Sequence, residues 1–379
     1  MEKDKENKIL NVPALRFPEF TEEWQYAKFK DVVTLQRGSS PRPIINYLTT
    51  SDDGVNWVKI GDMPTSGRIV TSTEEKITKE GAKKSRHVSA GDLILSNSMS
   101  YGLPYIMGID GYIHDGWFVL KNYEQTFDRD YLCNLLISDA IQKQYKKLAA
   151  GGVVQNISSD LVNSVNVFIP CLDEQKKIAK LLNLIDDRIS TQNKIIEKYE
   201  SLIKGLTILL TTQEKSNTTI AQCLECHNST LQESEVSYSG LYKVFGANGL
   251  VGYTDMPQMN GDAILIIKDG SGVGATSYAQ GKFSVIGTLN YLIPKENYDL
   301  RYLYFVLSVF NFQPYKTGMA IPHIYFKDYG NAKIYCPSLA EQKRIANILG
   351  KLENKLIVEQ DILALFSLQK QYLLGQMFI

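Results

Sequence analysis

Net charge is the first thing that this chain lacks. Its 379 residues include 41 lysines and arginines against 41 aspartates and glutamates. Domains that bind nucleic acid often have a strongly basic balance, so any basic surface here must arise from folding. Cysteine is scarce too, with five widely scattered residues. That number and spacing favour a reducing compartment over a disulfide framework.

Long apolar runs are also absent. No stretch of the sequence approaches the roughly 18 to 20 residues that a membrane span requires. The first eight residues are mostly charged, and no signal-type apolar segment comes after them. We therefore expect a cytoplasmic protein of two or three domains, in which residues 1–11 form a disordered tail.

Catalytic motifs are missing as well. The Asn-Pro-Pro-[Tyr/Phe] tetrad of DNA methyltransferases does not occur, and neither does the phosphate loop G-x-x-x-x-G-K-[ST]. The stretch from Gly270 to Gly274 is rich in glycine, but the residues after it do not resemble a helix start, which favours a tight turn over a dinucleotide site. The four histidines have no convincing catalytic partners. Catalysis by this chain alone is not expected.

One short motif matches a ligand site. Cys223, Cys226 and His227 have the spacing of c-type haem attachment. Haem attachment needs an exported chain, and this sequence shows no export signal. Zinc would need a second pair of ligands at suitable spacing, and none is near. We therefore expect a partly buried pair of cysteines and no metal.

An internal repeat is the main feature that the sequence does contain. Glu-Gln-Lys-Lys-Ile-Ala at residues 174–179 returns 167 residues later as Glu-Gln-Lys-Arg-Ile-Ala at residues 341–346. A glycine and a proline precede both copies at the same offset: Gly151 and Pro170, then Gly318 and Pro337. Repetition on this scale predicts two similar halves.

A long helical pattern begins at each copy of the motif. The first stripe alternates spacings of four and three through Ile178, Leu182, Ile185, Ile189, Gln192, Ile196, Tyr199, Ile203, Leu206 and Leu210, and the second runs from Ile345 to Leu373 through Glu359. This pattern predicts a coiled-coil seam. An isolated amphipathic helix of about 35 residues is unstable in water. Each stripe therefore needs a partner, either the other helix or, as the alternative, its own globular domain.

The order of the segments predicts the fold class. Residues 12–170 and 212–335 both mix short β-type runs with turns and a helical stretch, which predicts two similar mixed α/β domains of the α+β class. Residues 171–211 and 336–379 are the predicted spacer helices. If the two ends of the second domain lie close together, as domain termini often do, the helices are antiparallel. The chain then has a cyclic pseudo-twofold symmetry.

This organisation resembles the DNA-specificity subunit of type I restriction–modification enzymes. The doubled motif at the start of each long helix, shortly after a proline, carries most of the resemblance. The run Val-Pro-Ala-Leu-Arg-Phe-Pro-Glu-Phe at residues 12–20 with Trp24, and Gln-Arg-Gly at residues 36–38 leading into Pro41, are similar to that family's N-terminal signature. The second segment, from Thr218, lacks both the tryptophan and the Gln-Arg-Gly run.

The resemblance implies two target-recognition domains, each of which reads half of a split site in double-stranded DNA. It also implies that the helices are a spacer and a docking surface for two methyltransferase subunits, which in turn bind restriction/translocase subunits. S-adenosylmethionine, ATP and Mg²⁺ are then expected on those partner subunits and not on this chain. The alternative is a silent scaffold or inhibitory homologue that binds the methyltransferase without reading DNA.

Polar residues suited to DNA recognition cluster in the predicted loops. Arginine suits guanine, asparagine and glutamine suit adenine, and lysine, serine and threonine suit phosphates. The candidates are Arg37, Ser39, Arg42, Lys83, Lys84, Arg86, Ser96, Asn97, Ser98, Tyr101, Gln155 and Asn156 in the first domain, and Lys243, Asn248, Lys268, Ser271 and His323 in the second. The alternative for each is a solvated loop residue. Lys143, Lys146 and Lys147 instead indicate a plain helix face.

Gln192 and Glu359 are the polar residues at matching midpoints of the two stripes. We predict that they face each other near the pseudo-twofold axis and fix the register of the pair. A distance measurement between probes at the two positions should place the side chains within about two helical turns, or ~11 Å. A longer separation would refute this register.

Overall fold

The computed structural model describes residues 11–64, 67–97, 102–149, 157–212, 214–319 and 321–379. The chain divides into two compact units. The first unit comprises residues 1–193 and 362–379, and the second comprises residues 194–361. Residues 1–10 of the predicted tail lie outside the described residues.

The first unit contains two five-stranded sheets. Its strands are β1 (Gln25–Lys28), β2 (Thr34–Arg37), β3 (Leu48–Thr49), β4 (Val55–Val58), β5 (Ile69–Val70), β6 (Glu75–Ile77), β7 (Arg86–Val88), β8 (Leu93–Ser96), β9 (Pro104–Met107), β10 (Gly111–Ile113), β11 (Trp117–Lys121) and β12 (Asn166–Ile169). Its helices are α1 (Phe29–Val32), α2 (Lys79–Ala82), α3 (Arg129–Ile137), α4 (Asp139–Ala149), α5 (Ser159–Ser164) and the start of α6 (Leu172–Thr211), with 3₁₀ turns at Ile44–Asn46 and Ile60–Asp62. The strand orders are β3-β6-β4-β10-β7 and β2-β11-β8-β9-β5, and β1 pairs with β12.

The second unit contains two four-stranded sheets. Its strands are β13 (Thr218–Thr219), β14 (Leu224–Asn228), β15 (Tyr242–Gly246), β16 (Gly249–Thr254), β17 (Met259–Asn260), β18 (Ala263–Ile267), β19 (Thr276–Ala279), β20 (Lys282–Val285), β21 (Leu289–Pro294) and β22 (Lys333–Ile334). Its helices are α7 (Ile220–Cys223), α8 (Leu300–Ser308), α9 (Phe326–Tyr329) and the start of α10 (Leu339–Gln376), with 3₁₀ turns at Glu233–Glu235 and Gln313–Tyr315. The orders are β14-β21-β18-β19 and β16-β15-β20-β17, and β13 pairs with β22.

One antiparallel sheet is common to both units. The order β2-β11-β8-β9 in the first unit corresponds to β14-β21-β18-β19 in the second. Each sheet is followed by a nine-residue helix, α3 or α8. β13 pairs with β22 as β1 pairs with β12, so the two N-terminal strands are equivalent although the second lacks the tryptophan signature. The prediction of two similar mixed α/β domains is confirmed.

The two ends of each domain lie close together. In the second unit, the Asn217 side chain donates to the Cys336 carbonyl at 2.7 Å and accepts from the Cys336 N–H at 2.9 Å. The end of α6 and the start of α10 therefore lie at the same edge of that domain. In the first unit, the Leu15 N–H donates to the Gln376 carbonyl at 2.9 Å, so the end of α10 meets the N-terminal segment.

The long helices are antiparallel within the first unit. Asp186 of α6 pairs with Lys370 of α10. Arg188, further along α6, lies 5.9 Å from the ring centre of Phe366, which is earlier in α10. The stripe residues join the domain cores: Ile178, Leu182, Ile185 and Leu373 in the first unit, and Leu206, Leu210, Ile345 and Leu349 in the second. Each stripe thus packs with the other helix and with a globular domain, so both alternatives hold in part.

Gln192 belongs to the first unit and Glu359 to the second. Gln192 is 6% exposed and Glu359 is half-buried. Their mutual register stays a prediction.

A buried glutamine of the repeated motif ties α6 to the first domain. The Gln175 side chain donates to the carbonyls of Pro170 at 3.0 Å and Thr126 at 2.9 Å, and accepts from the Asp128 N–H at 2.8 Å. Asp128 is the N-cap of α3 and accepts from the Tyr131 N–H. One side chain thus joins the start of the long helix to the start of the domain helix.

Gln342 does the same in the second unit. Its side chain donates to the Pro337 carbonyl at 2.8 Å and accepts from the Asp299 N–H at 2.9 Å. Asp299 is the N-cap of α8 and accepts from the Tyr302 N–H. We call each of these arrangements a glutamine clamp. The two clamps are the structural reason for the glutamine at the second position of both motif copies.

The preceding glutamate has different roles in the two copies. Glu174 is fully buried; it accepts from Arg16 at 2.7 and 2.8 Å and from the Trp24 indole N–H at 3.2 Å. Glu341 instead pairs with Arg344 on its own helix. The first copy therefore anchors the N-terminal signature, and in the second segment, which lacks the tryptophan, the glutamate is only half-buried.

We expect Gln175→Leu to lower the free energy of unfolding by about 3 kcal/mol or more, because it leaves three backbone groups without this partner and each such buried group costs about 1–3 kcal/mol. Gln342→Leu should cost less, since Gln342 makes two of the three bonds of Gln175. Urea unfolding followed by circular dichroism measures both changes. Gln371→Leu, at an exposed position of α10, is the matched control. Equal effects of Gln175→Leu and Gln371→Leu would contradict the clamp.

Candidate nucleic-acid interface

Asp115 brings together several of the residues predicted to bind DNA in the first unit. Its carboxylate accepts from Ser40 at 2.9 Å and from Arg42 at 3.0 Å. Its backbone carbonyl accepts from Arg37 at 3.2 Å and from the Asn97 amide at 2.8 Å. The loop after β2 and the end of β8, which are distant in sequence, therefore meet at one residue.

Arg86 joins this cluster from the start of β7. Its guanidinium donates to the Arg37 carbonyl at 3.1 Å. The side chains of Arg37, Arg42 and Arg86 are all exposed, and Ser39 between them is half-buried. Three guanidinium groups on one edge can bind phosphates or guanine bases, because arginine presents a rigid fork of donors.

Gly38 explains why the Gln-Arg-Gly run ends in glycine. Its N–H donates to the Trp117 carbonyl at 2.8 Å, and a Cβ at this position would lie 2.0 Å from the His114 carbonyl oxygen. Only glycine lets the loop lie so close to the neighbouring segment. The arginine loop is thus held against the Asp115 segment by backbone contact.

The electrostatics of the cluster follow from its partial burial. Burial disfavours ionisation of the Asp115 carboxyl, but the Ser40 hydrogen bond and the charge of Arg42 bring its pKa below the ordinary value. Burial lowers the pKa of His114, so its imidazole is neutral at neutral pH. Arg42 therefore has an ionised partner in the free protein, and a phosphate would have to replace it.

Other predicted residues of the first unit have structural partners. Lys83 pairs with Glu80 at 2.8 Å, and Lys84 lies 4.7 Å from the ring centre of Tyr47. Ser96 is 0% and Asn97 4% exposed, so both side chains are buried here and their contact with DNA stays a prediction. The candidates Ser98, Tyr101, Gln155 and Asn156 lie outside the described residues.

The second unit brings together Lys268, Ser271 and His323. The His323 Nδ1 lies 2.6 Å from the Asp269 carboxylate, and the backbones of these two residues form a β-bridge. Ser271 is exposed in the next turn, and Lys268 is half-buried. Lys243 and Asn248 are exposed on a separate hairpin, formed by β15 and β16.

The two clusters occupy the same place in their domains. The Ile157 N–H donates to the Asn97 carbonyl at 2.7 Å, and the Ile324 N–H donates to the Lys268 carbonyl at 3.0 Å. Both isoleucines are buried, and they are separated by the repeat offset of 167 residues. Asn97 and Lys268 come directly after the equivalent strands β8 and β18. The ends of these equivalent strands therefore carry the Asp115 cluster in the first unit and the Lys268, Ser271 and His323 cluster in the second.

The remaining candidate ligand motifs have ordinary structural roles. The glycine-rich stretch 270–274 connects the antiparallel strands β18 and β19, which confirms the turn. The Cys223 sulfur lies 3.8 Å from that of Cys336, and the hydrogen bond between them lowers the pKa of Cys223 to about 7. Sequence spacing pointed to Cys226 and missed Cys336. Within the described ranges, no group of three or more potential ligands could hold a metal ion.

The fold defines a duplicated protein, with two similar α/β domains and two long helices. The chain belongs to the family of the type I restriction modification DNA specificity domain, whose family model matches residues 21–201 and 213–365. In the part of the chain that the structure describes, no helix is long and apolar enough to cross a membrane.

Curated relatives include two specificity subunits. That of the type I restriction enzyme EcoprrI from Escherichia coli is 20% identical over 360 residues, which cover 87% of this chain and 88% of the relative. That of the MjaVIII enzyme from Methanocaldococcus jannaschii is 28% identical over 205 residues, or 51% of this chain. The alignment spans about half of that relative's length, 47%.

Two solved structures have a similar fold. The S subunit of a type I restriction–modification system from M. genitalium aligns with a TM-score of 0.61 at 15% identity, over 97% of this chain and 99% of that one. A chain from a structure of an assembling type I R-M system aligns with a TM-score of 0.58 at 17% identity, over 93% and 96%. At these identities the likeness concerns the fold alone.

We expect Arg86→Ala to weaken duplex DNA binding and to reduce the dependence of log K on log salt by about one phosphate contact. Arg86 is exposed and lies in the Asp115 cluster. Titrations of a mixed-sequence duplex at several salt concentrations measure both effects. Lys147→Ala, on the exposed face of α4, is the control and should bind as the parent chain does. An equal loss in both variants would count against the cluster.

Proposed function

We propose that this chain is the DNA sequence-specificity subunit of a type I restriction–modification complex and recognises a bipartite target. The observation that carries the proposal is the equivalent position of the two candidate clusters. In one domain three exposed arginines surround Asp115, and in the other His323 pairs with Asp269. Equivalent edges with different side chains suit two half-sites of different sequence.

The long helices support a split target. α6 has 40 residues, which corresponds to a length of about 60 Å. One turn of B-DNA is about 34–36 Å. A helix of this length can separate two readers by at least one turn of the duplex, so base pairs between the half-sites remain unread.

We also propose that the long helices dock two methyltransferase subunits, which in turn bind the restriction/translocase subunits. Leu365, Leu368 and Tyr372 of α10 are 64%, 61% and 61% exposed, and their spacing places them on one face of the helix. Leu202 and Leu209 of α6 are similarly exposed at heptad spacing. Exposed apolar stripes of this kind suit a partner protein.

Catalysis then belongs to the partners. S-adenosylmethionine would bind the methyltransferase subunits, which flip the target adenine out of the duplex, and ATP with Mg²⁺ would bind the translocase. The role of this chain is to hold the complex at one sequence, in the cytoplasm. The scaffold alternative is favoured by one observation: the chain carries no net charge. A scaffold would show no sequence preference and no salt dependence of DNA binding.

The test is a domain exchange. Residues 212–335 are replaced by the corresponding segment of another specificity subunit, and the methylated sites in cells that carry the complex are mapped before and after. We expect a split motif, of which only one half changes. The reciprocal exchange of residues 12–170 should change the other half. Changes in both halves from one exchange, or an unsplit motif, would contradict two independent readers.

A further inference from the structure

Two clefts occupy equivalent places beside the glutamine clamps. Each lies between the first turns of a long helix and the start of the domain helix. The first cleft has a volume of about 310 Å³ and is lined by Lys176 and Lys180 together with three aspartates, Asp128, Asp130 and Asp187. The second has a volume of about 510 Å³, and its charged lining is Arg301, Lys343, Lys351 and Asp299.

Shared residues show that the clefts correspond. Lys176 and Lys343 hold the same position of the repeated motif, and Ala179 and Ala346 come three residues later in both copies. The N-cap aspartates of α3 and α8 line the two clefts in the same way. A partner that binds both clefts through their common features meets a lysine and an aspartate in each.

The residues that differ change the charge of the clefts. Asp130 lies two residues after the N-cap of α3, and Arg301 holds the equivalent position after the N-cap of α8. On the long helices, Leu184, Asp187 and Lys180 are replaced by Lys351, Asn354 and Asn347. The formal lining charge is −1 in the first cleft and +2 in the second.

The charges closest to the domain helices are held in place. Asp130 accepts from the Asn183 amide at 2.9 Å. Arg301 pairs with Glu353 and lies 4.4 Å from the ring centre of Tyr278. Asp186 holds the position equivalent to Glu353 in the first unit, but it pairs with Arg68 and Lys370 and not with a residue of the cleft lining. The charge difference is therefore part of the fold.

We propose that both clefts bind the same acidic segment of the methyltransferase subunit, and that the second cleft binds it more tightly. The inference rests on the proposed function, in which two copies of one partner dock on this chain. A carboxylate on that segment complements the shared lysine. Arg301 and Lys351 add attraction in the second cleft, whereas Asp130 and Asp187 add repulsion in the first. Two identical subunits therefore assemble in two unequal steps.

The test exchanges exposed residues between the repeats. Leu184→Lys with Asp187→Asn makes the first cleft resemble the second, and Lys351→Leu with Asn354→Asp does the reverse. All four side chains are exposed, so the fold should be retained. Native mass spectrometry of the full chain with the methyltransferase subunit, at several salt concentrations, gives the two stepwise dissociation constants.

We expect the unmodified chain to bind the two copies with constants that differ by more than the statistical factor for identical sites, and less so at high salt. The first variant should tighten the weaker step, and the second should loosen the stronger step, each by about fivefold or more. Equal steps in the unmodified chain overturn the inference but leave docking intact. If the dissociation constants of the variants change in the opposite direction, the partner segment is not acidic. Failure of the methyltransferase subunit to bind at all contradicts the proposed function itself.

Discussion

The rest of the structure depends on the glutamine clamp. In each unit one buried amide side chain joins the first turn of a long helix to the N-cap of a domain helix. Its partners in the domain are backbone groups, which any sequence can supply. Side chains elsewhere in the domain can therefore change while the geometry at the start of the long helix is kept. A bond to a domain side chain would have tied the two together.

The neighbouring glutamate shows where sequence comparison stops. Glu174 and Glu341 hold the same position of the repeat, yet the first is buried against Arg16 and Trp24 and the second pairs with Arg344 on the surface. The motif gives no sign of this difference. The sign lies about 150 residues earlier, in the presence or absence of a tryptophan before the first strand. The burial of the glutamate can be related to the presence of the tryptophan only in the folded structure, where the two side chains are in contact.

The sequence predicted the elements that depend on periodicity and offset. The long helices were expected at 171–211 and 336–379, and the structure has them at Leu172–Thr211 and Leu339–Gln376. The Asp115 cluster could not be predicted in the same way, because the pairing register of β2 with β11 decides which loops meet. The burial of Ser96 likewise depends on strands from elsewhere in the chain. Composition identifies residues that can contact DNA, and only long-range pairing selects those that face outwards.

Zero net charge is compatible with a sequence reader. Non-specific DNA binding grows with the number of cations that release phosphate counterions, so a neutral chain holds random DNA weakly. The acids inside the candidate sites also weaken the binding of random DNA. Asp115 is hydrogen-bonded to Arg42 and Asp269 to His323, so DNA has to displace these acids before it can contact either residue. Correctly placed bases compensate for the loss of these contacts through paired hydrogen bonds, and isolated phosphates compensate for less of it. Under the proposed function, this arrangement lowers the affinity for all DNA and favours a sequence with correctly placed bases over random sites.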